Sequence, residues 1–199
     1  MNNFLVIFVS LAFVSACGKK DESKPASSTG IAELQGTWIS ACHPYEESDS
    51  IDRLTEVYSG TTAVSTRVVY SDAACTVPEL TSKLTATASA AGDAATPAGA
   101  KKINYTISGL TLTPNAAAIV SDLNANGYCG FTDWALNTEK NLVGSTCDEE
   151  QIMAGEVIYA IYKLNSATEM SHGMADDTYD QSTEAKRPIR FDTFVYTKQ

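Results

Sequence analysis

The sequence predicts a mainly β domain: an antiparallel barrel of eight to nine strands with one short mid-chain helix, a β-sandwich being the alternative. Three observations carry this. Apolar and polar residues alternate with period two in successive segments, as in half-buried strands. Small and polar turn residues separate those segments at hairpin spacing. Only one stretch strings together strong helix formers. Closing the strands into a barrel removes exposed edges, whereas a sandwich stacks the same strands in two sheets.

Each element follows in order. Residues 36–42 form a first strand, and 52–58 and 62–70 a second and third, joined by a turn at Ser59-Gly60. In the third, Val64, Val68 and Tyr70 share one face and Ser65 and Arg67 the other. A Thr-rich fourth strand covers 80–89, and the Ala/Gly-rich stretch 90–100 reads as a mobile hairpin tip. The fifth strand, 102–112, puts Ile103, Tyr105 and Ile107 on one face. The helix covers 114–121, with Pro114 near its start. Residues 141–146, 155–164 and 168–171 supply three more strands, and 190–198 a ninth.

The chain divides into three parts: 1–16, 17–30 and a single domain over 31–199. An apolar run from Phe4 to Val14, broken only by Ser10, is shorter than the roughly 20 residues that span a bilayer. It fits the apolar region of a signal peptide, about 7–15 residues long. The following Val14-Ser15-Ala16-Cys17 resembles the lipobox of bacterial lipoproteins. That resemblance implies cleavage before Cys17, lipidation of its thiol and acylation of its new amine. Three chains exceed the two signals needed for stable anchoring. The membrane, reached through this lipid, is then a partner. Ordinary secretion after Ala16 is the competing reading. Residues 18–30 contain no large apolar side chain and read as a flexible tether. Gly18, where an Asp would signal inner-membrane retention in well-known bacteria, points to the cell envelope and its outer membrane.

The formal charge of -10 argues against a nucleic-acid partner, because an acidic surface repels phosphates. It also keeps an exported domain soluble. Five Cys are present; assigning Cys17 to lipid leaves Cys42, Cys75, Cys129 and Cys147, an even set suited to an oxidising compartment. Of three pairings, Cys42–Cys75 with Cys129–Cys147 closes the shortest loops, each worth about 3–4 kcal/mol by the chain-entropy argument. A zinc site is the alternative, although no C-x-x-C occurs.

Gln35-Gly36-Thr37-Trp38 resembles the G-x-W motif that opens the first strand of lipocalins and related calycins. The resemblance implies that Trp38 closes one barrel end against a basic residue of the last strand. Arg190 is the expected partner and Arg187 the second candidate. Thr132-Asp133-Trp134 resembles the middle Thr-Asp-Tyr motif of the same class. In that class the helix follows the barrel, whereas here it is expected mid-chain.

The sharpest local pattern runs from Asp122 to Asp133 and matches the calcium-loop spacing D-x-[DN]-x-[DN]-G with an acid at the twelfth place. Its oxygen ligands would be Asp122, Asn124, Asn126, the Tyr128 carbonyl and Asp133, with Gly127 at the sharp turn. The competing reading is an Asn/Gly-rich turn after a helix. No cofactor is otherwise expected. His43 reads as a surface residue, and Asp176, Asp177, Asp180 and Glu184 as a solvated rim.

No nucleophile, phosphate-binding or dinucleotide motif is present, so the expectation is a binding protein and not an enzyme. The leading expectation is a membrane-anchored lipoprotein whose barrel holds a small apolar or amphipathic ligand. Candidate lining residues are Tyr58, Tyr70, Tyr105, Tyr159, Tyr162 and Tyr196. The alternative is a structural or interaction lipoprotein with a filled barrel and no small ligand.

Overall fold

A computed structural model describes residues 31–44, 51–147 and 150–199. Cys17, the signal segment and the tether lie outside the described residues. Eight strands make the barrel: β1 Gly36–Ser40, β2 Ile51–Ser59, β3 Thr62–Tyr70, β4 Pro78–Asp93, β5 Lys101–Pro114, β6 Val157–Leu164, β7 Glu169–His172 and β8 Tyr196–Lys198. Each pairs antiparallel with the strand before it in this series, and β1 pairs with both β2 and β8, which closes the ring. This up-and-down order is consistent with a lipocalin-like fold. The longest strands, β4 and β5, shift register between Thr85 and Ala86 and again between Ala90 and Asp93. Such bulges bend long strands enough to curve a sheet shut.

Cross-strand register fixes which side chains face inward. Asp52, Leu54, Glu56 and Tyr58 of β2 stand opposite Val69, Arg67, Ser65 and Ala63 of β3, and these stand opposite Leu80, Ser82, Leu84 and Ala86 of β4. The inward face of β3 is therefore the Ser65/Arg67 face, and Val64 and Val68 alternate to the outside. Charge pairing with Asp52 explains why a polar face turns in.

Both barrel ends are plugged. At one end a 3-10 turn, Ala32–Leu34, sets Ile31 and Leu34 against the fully buried Trp38, with Tyr162 and Met170 around them. Trp38 Nε1 donates to the Leu34 carbonyl at 2.7 Å. Tyr162 and Lys101 both donate to Glu33, at 2.6 and 2.7 Å, and fasten the turn across the barrel. At the other end lies the excursion 115–156 between β5 and β6. It carries the helix α1, Ala117–Asn126, whose Ile119 and Leu123 pack with Trp134, Leu142 and Ile152 onto Val69, Leu80, Leu110 and Leu112. Burying apolar side chains at both ends removes area from water at about 25 cal/mol per Å².

Several expectations change. Pro114 ends β5, so the helix begins three residues later than predicted. Residues 141–146 give no barrel strand: Lys140–Asn141 pairs briefly with β5 and Thr146–Cys147 with Glu150–Gln151. The hairpin tip is shorter than expected, because β4 reaches Asp93 and Ala100 is buried. The ninth strand shrinks to Tyr196–Lys198, and residues 173–195 instead cross the barrel wall as a long segment. That segment leaves β7 at Gly173, whose N–H bonds to the Ile161 carbonyl at 2.9 Å. A Cβ there would fall 2.4 Å from Ile161 and 2.8 Å from Pro188, so only glycine allows the approach.

Candidate functional site

Between the two plugs the barrel is not filled. Ala63, Ala86 and Ala160 and Ser65 occupy inward positions where larger side chains would meet, leaving a cavity of about 320 Å³. This lies at the lower end of small-molecule sites. Leu54, Leu84, Ile158 and Phe194 give the lining apolar surface, and polar and charged side chains alternate with them, Leu54 standing between Asp52 and Glu56 on the inward face of β2.

The polar wall is built of two ion pairs and a phenol dyad. Arg67 Nε donates to Asp52 Oδ2 at 2.5 Å, and its Nη2 engages the same oxygen. The Asp52 side chain is 1% exposed and that of Arg67 19%. Two turns of strand along, His172 Nε2 lies 2.9 Å from Glu56 Oε2. Nε2 makes no aligned hydrogen bond, so charge attraction more than directed bonding joins the pair. Tyr58 donates to Glu56 at 2.5 Å and shares a 2.7 Å bond with Tyr105. Burial alone would raise the Glu56 carboxyl, but the His172 charge and the Tyr58 hydroxyl hold it below its ordinary value. Burial would lower His172, and Glu56 overrides it and raises it. Burial and then the Glu56 charge push both Tyr58 and Tyr105 well up; Tyr196 is raised by burial, Glu56 and Asp192.

His43 lines the same wall. Its ring stacks on Phe194 at 3.8 Å, and Nδ1 sits 3.0 Å from the Ala41 carbonyl. A carbonyl only accepts, so Nδ1 carries a proton, and the tautomer this selects has Nε2 as its acceptor. Nε2 is buried and has no hydrogen-bond partner among the described residues. His43 is thus part of the cavity wall, where the sequence suggested a surface position. Short-range signals gave no hint, because only the Asp52 register places it beside the barrel interior.

The expected tyrosines divide. Tyr58, Tyr105 and Tyr196 line the cavity. Tyr162 belongs to the plug, Tyr70 accepts from Arg53 at 2.7 Å, and Tyr159 lies beneath the Arg187 guanidinium. The remaining site residues, Asp52, Glu56, Arg67, His172, Asp192 and Phe194, were not singled out for this site by the sequence. The alternation Asp52-x-Leu54-x-Glu56-x-Tyr58 was the available signal.

Trp38 has a different cation from the one expected. Lys198, its cross-strand partner in β8, holds Nζ 5.1 Å from the ring centre. Arg190 precedes β8, its side chain is 55% exposed, and it pairs with Asp176 at 3.1 Å. Arg187 is buried elsewhere: it donates to the Ala160 and Ile103 carbonyls at 2.5 and 2.9 Å and to Asn104 at 2.7 Å. Of the acids expected as a rim, Asp176, Asp180 and Glu184 fasten the 173–195 segment, with Asp180 on Lys186 at 2.6 Å and Glu184 on Arg187 and Lys102.

The calcium pattern is a helix C-terminus. Asp122, Asn124 and Asn126 lie inside α1, so their side chains fan around its axis and do not converge. Gly127 takes φ +59 as the left-handed cap, which is why Asn-Gly stands there. Asn124 clamps Trp134, accepting from its N–H at 2.7 Å and donating to its carbonyl at 2.9 Å. Asn126 bonds the Asp122 carbonyl, the Tyr128 carbonyl accepts from Phe131, and Asp133 pairs with Lys140. Among the described residues no three His, Cys, Asp or Glu side chains gather as metal ligands. The cysteines pair as Cys42–Cys75 and Cys129–Cys147. The first ties the end of β1 to the loop after β3; the second ties the helical excursion to its return.

No protein-family model matches the chain, and no curated protein sequence matches it either.

Proposed function

We propose that this protein is a membrane-tethered binding protein whose barrel takes up a small amphipathic molecule. The observation that carries the reading is the unfilled barrel interior, lined by the small side chains of Ala63, Ala86 and Ala160 together with polar groups. A protein acting only through its outer loops would gain stability by filling that space. The chain further supports attachment at Cys17 in the cell envelope, with the outer membrane as the favoured site, through the lipobox-like residues 14–17.

The test is uptake of a neutral naphthylamine fluorophore, whose emission rises in an apolar cavity. The wild-type protein binds it saturably with one site. Ala86→Phe, which places a ring in the cavity, removes the signal while the protein still unfolds cooperatively. Binding that survives in Ala86→Phe places the dye elsewhere and overturns the reading. In a host with lipoprotein processing, acyl labelling of wild type and its loss in Cys17→Ser checks the tether; an unlabelled wild type overturns it.

A further inference from the structure

We propose that the polar wall of the cavity receives the protonated nitrogen of an amphipathic amine, whose hydrocarbon lies along Leu54, Leu84 and Ile158. This deepens the binding reading above and rests on it. Among the described residues, the cavity wall carries three carboxylates, Asp52, Glu56 and Asp192, one guanidinium, Arg67, and one imidazole with a carboxylate partner, His172, and no lysine. With both cations charged, the described lining still carries one more negative than positive charge.

Hydrogen-bond supply has the same sign. Arg67 directs Nε and Nη2 at Asp52, and the His172 ring is held by the Glu56 charge, so both cationic groups of the wall are already engaged by acids of the protein. Among the described residues, His43 Nε2 is a buried acceptor without a hydrogen-bond partner. A ligand matched to this wall brings donors and positive charge; a carboxylate or phosphate head would add an anion to an acidic wall and offer His43 nothing. The aromatic residues point the same way, since Phe194, Tyr196, Tyr58 and Tyr105 line the same space and ring faces attract cations. Burial and the Glu56 charge together hold the Tyr58 and Tyr105 protons in place, in keeping with a negative potential inside the barrel.

The test is displacement of the bound naphthylamine fluorophore by octylamine, octanol and octanoate at neutral pH, in wild type, Asp192→Asn and Ala86→Phe. Octylamine is expected to displace the dye at a concentration about tenfold or more below octanoate, with octanol between them. Asp192→Asn is expected to narrow the amine–carboxylate gap several-fold, and Ala86→Phe to bind no amine by calorimetry. Equal displacement by all three, or a preference for octanoate, overturns the amine assignment while the cavity reading stands. A gap unchanged in Asp192→Asn also overturns it, since charge in the wall is then not its source. Amine binding retained in Ala86→Phe assigns it to the acidic outer surface and overturns it as well. A wild-type protein that never takes up the dye brings down the binding reading itself.

Discussion

Removing the Arg67 guanidinium tests the claim that β3 turns its polar face into the barrel. Arg67→Met keeps most of the aliphatic stem and deletes the charge that faces the 1% exposed Asp52 carboxylate. Breaking a buried pair from one side costs about 3–5 kcal/mol, because the remaining charge stays out of water. Arg67 keeps a fifth of its exposure and borders a cavity that water can enter, which sets the expectation near the lower end, about 3 kcal/mol. For a domain of this size that is a fall in Tm of roughly 6–12 °C. Urea unfolding of the oxidised protein measures it, with an unchanged slope confirming that the unfolded state is the same. Replacing both partners, Asp52→Leu with Arg67→Met, should return stability to within about 1 kcal/mol of wild type, because neither charge of this pair is left buried alone. A single-variant cost below about 1 kcal/mol, or a double variant less stable than the single, would refute the inward-facing pair.

Two further outcomes follow from the plug and the second ion pair. Trp38→Ala should cost about 3–5 kcal/mol, and a double-mutant cycle with Lys198→Met should show coupling of about 0.5–1 kcal/mol; the same cycle with Arg190→Ala should show none, and the opposite pattern would restore Arg190 as the partner. His172 is raised in the folded state, so its stabilisation is complete below its ordinary value of 6.5 and is lost as pH rises through the folded value. Glu56 is lowered, so its contribution is present above 4.5 and is lost as pH falls through its own folded value. Between about pH 6 and about pH 9 the urea midpoint of wild type should therefore fall more than that of His172→Gln, and parallel profiles would sink the Glu56–His172 assignment.

Strand positions were legible because period-two alternation is local, and observed strands cover both 62–70 and 102–112; which face turns in was not, since Ser65 and Arg67 and not Val64 and Val68 face the interior. The cysteine pairing was legible because loop closure favours near neighbours in sequence. What failed was whatever tertiary packing decides. Pro114 reads as a helix start, yet the edge of a strand also tolerates its missing N–H, and β5 takes it. Arg190 reads as the first residue of a strand, but the 173–195 segment holds it against Asp176 before β8 begins. The Asp122–Asp133 spacing reads as a cation loop because Asn and Gly also make good helix C-termini. The site itself was hidden for a simpler reason. Asp52 and Arg67, or Glu56 and His172, are far apart in sequence, and only the ring closure of the barrel brings them to one wall.

The placement of side chains along the barrel divides labour between stability and recognition. Apolar volume is concentrated at the ends, in the Leu34–Trp38–Met170 plug and in the Ile119–Leu123–Trp134 cluster held by Cys129–Cys147. Each end is tied by its own bonds, Glu33 to Lys101 and Tyr162 at one, Asn124 to Trp134 at the other. The middle can then carry small residues and charges that a packed core would reject, since buried charges are costly unless paired. Asp52 and Glu56 are retained there with partners close enough to hold them, and the space left by Ala63, Ala86 and Ala160 stays open beside them. An interior of this kind costs stability that either plug would gain by extending inward. Its presence between two well-packed ends is the physical support for the proposal that the cavity, rather than the outer surface, carries the protein's role.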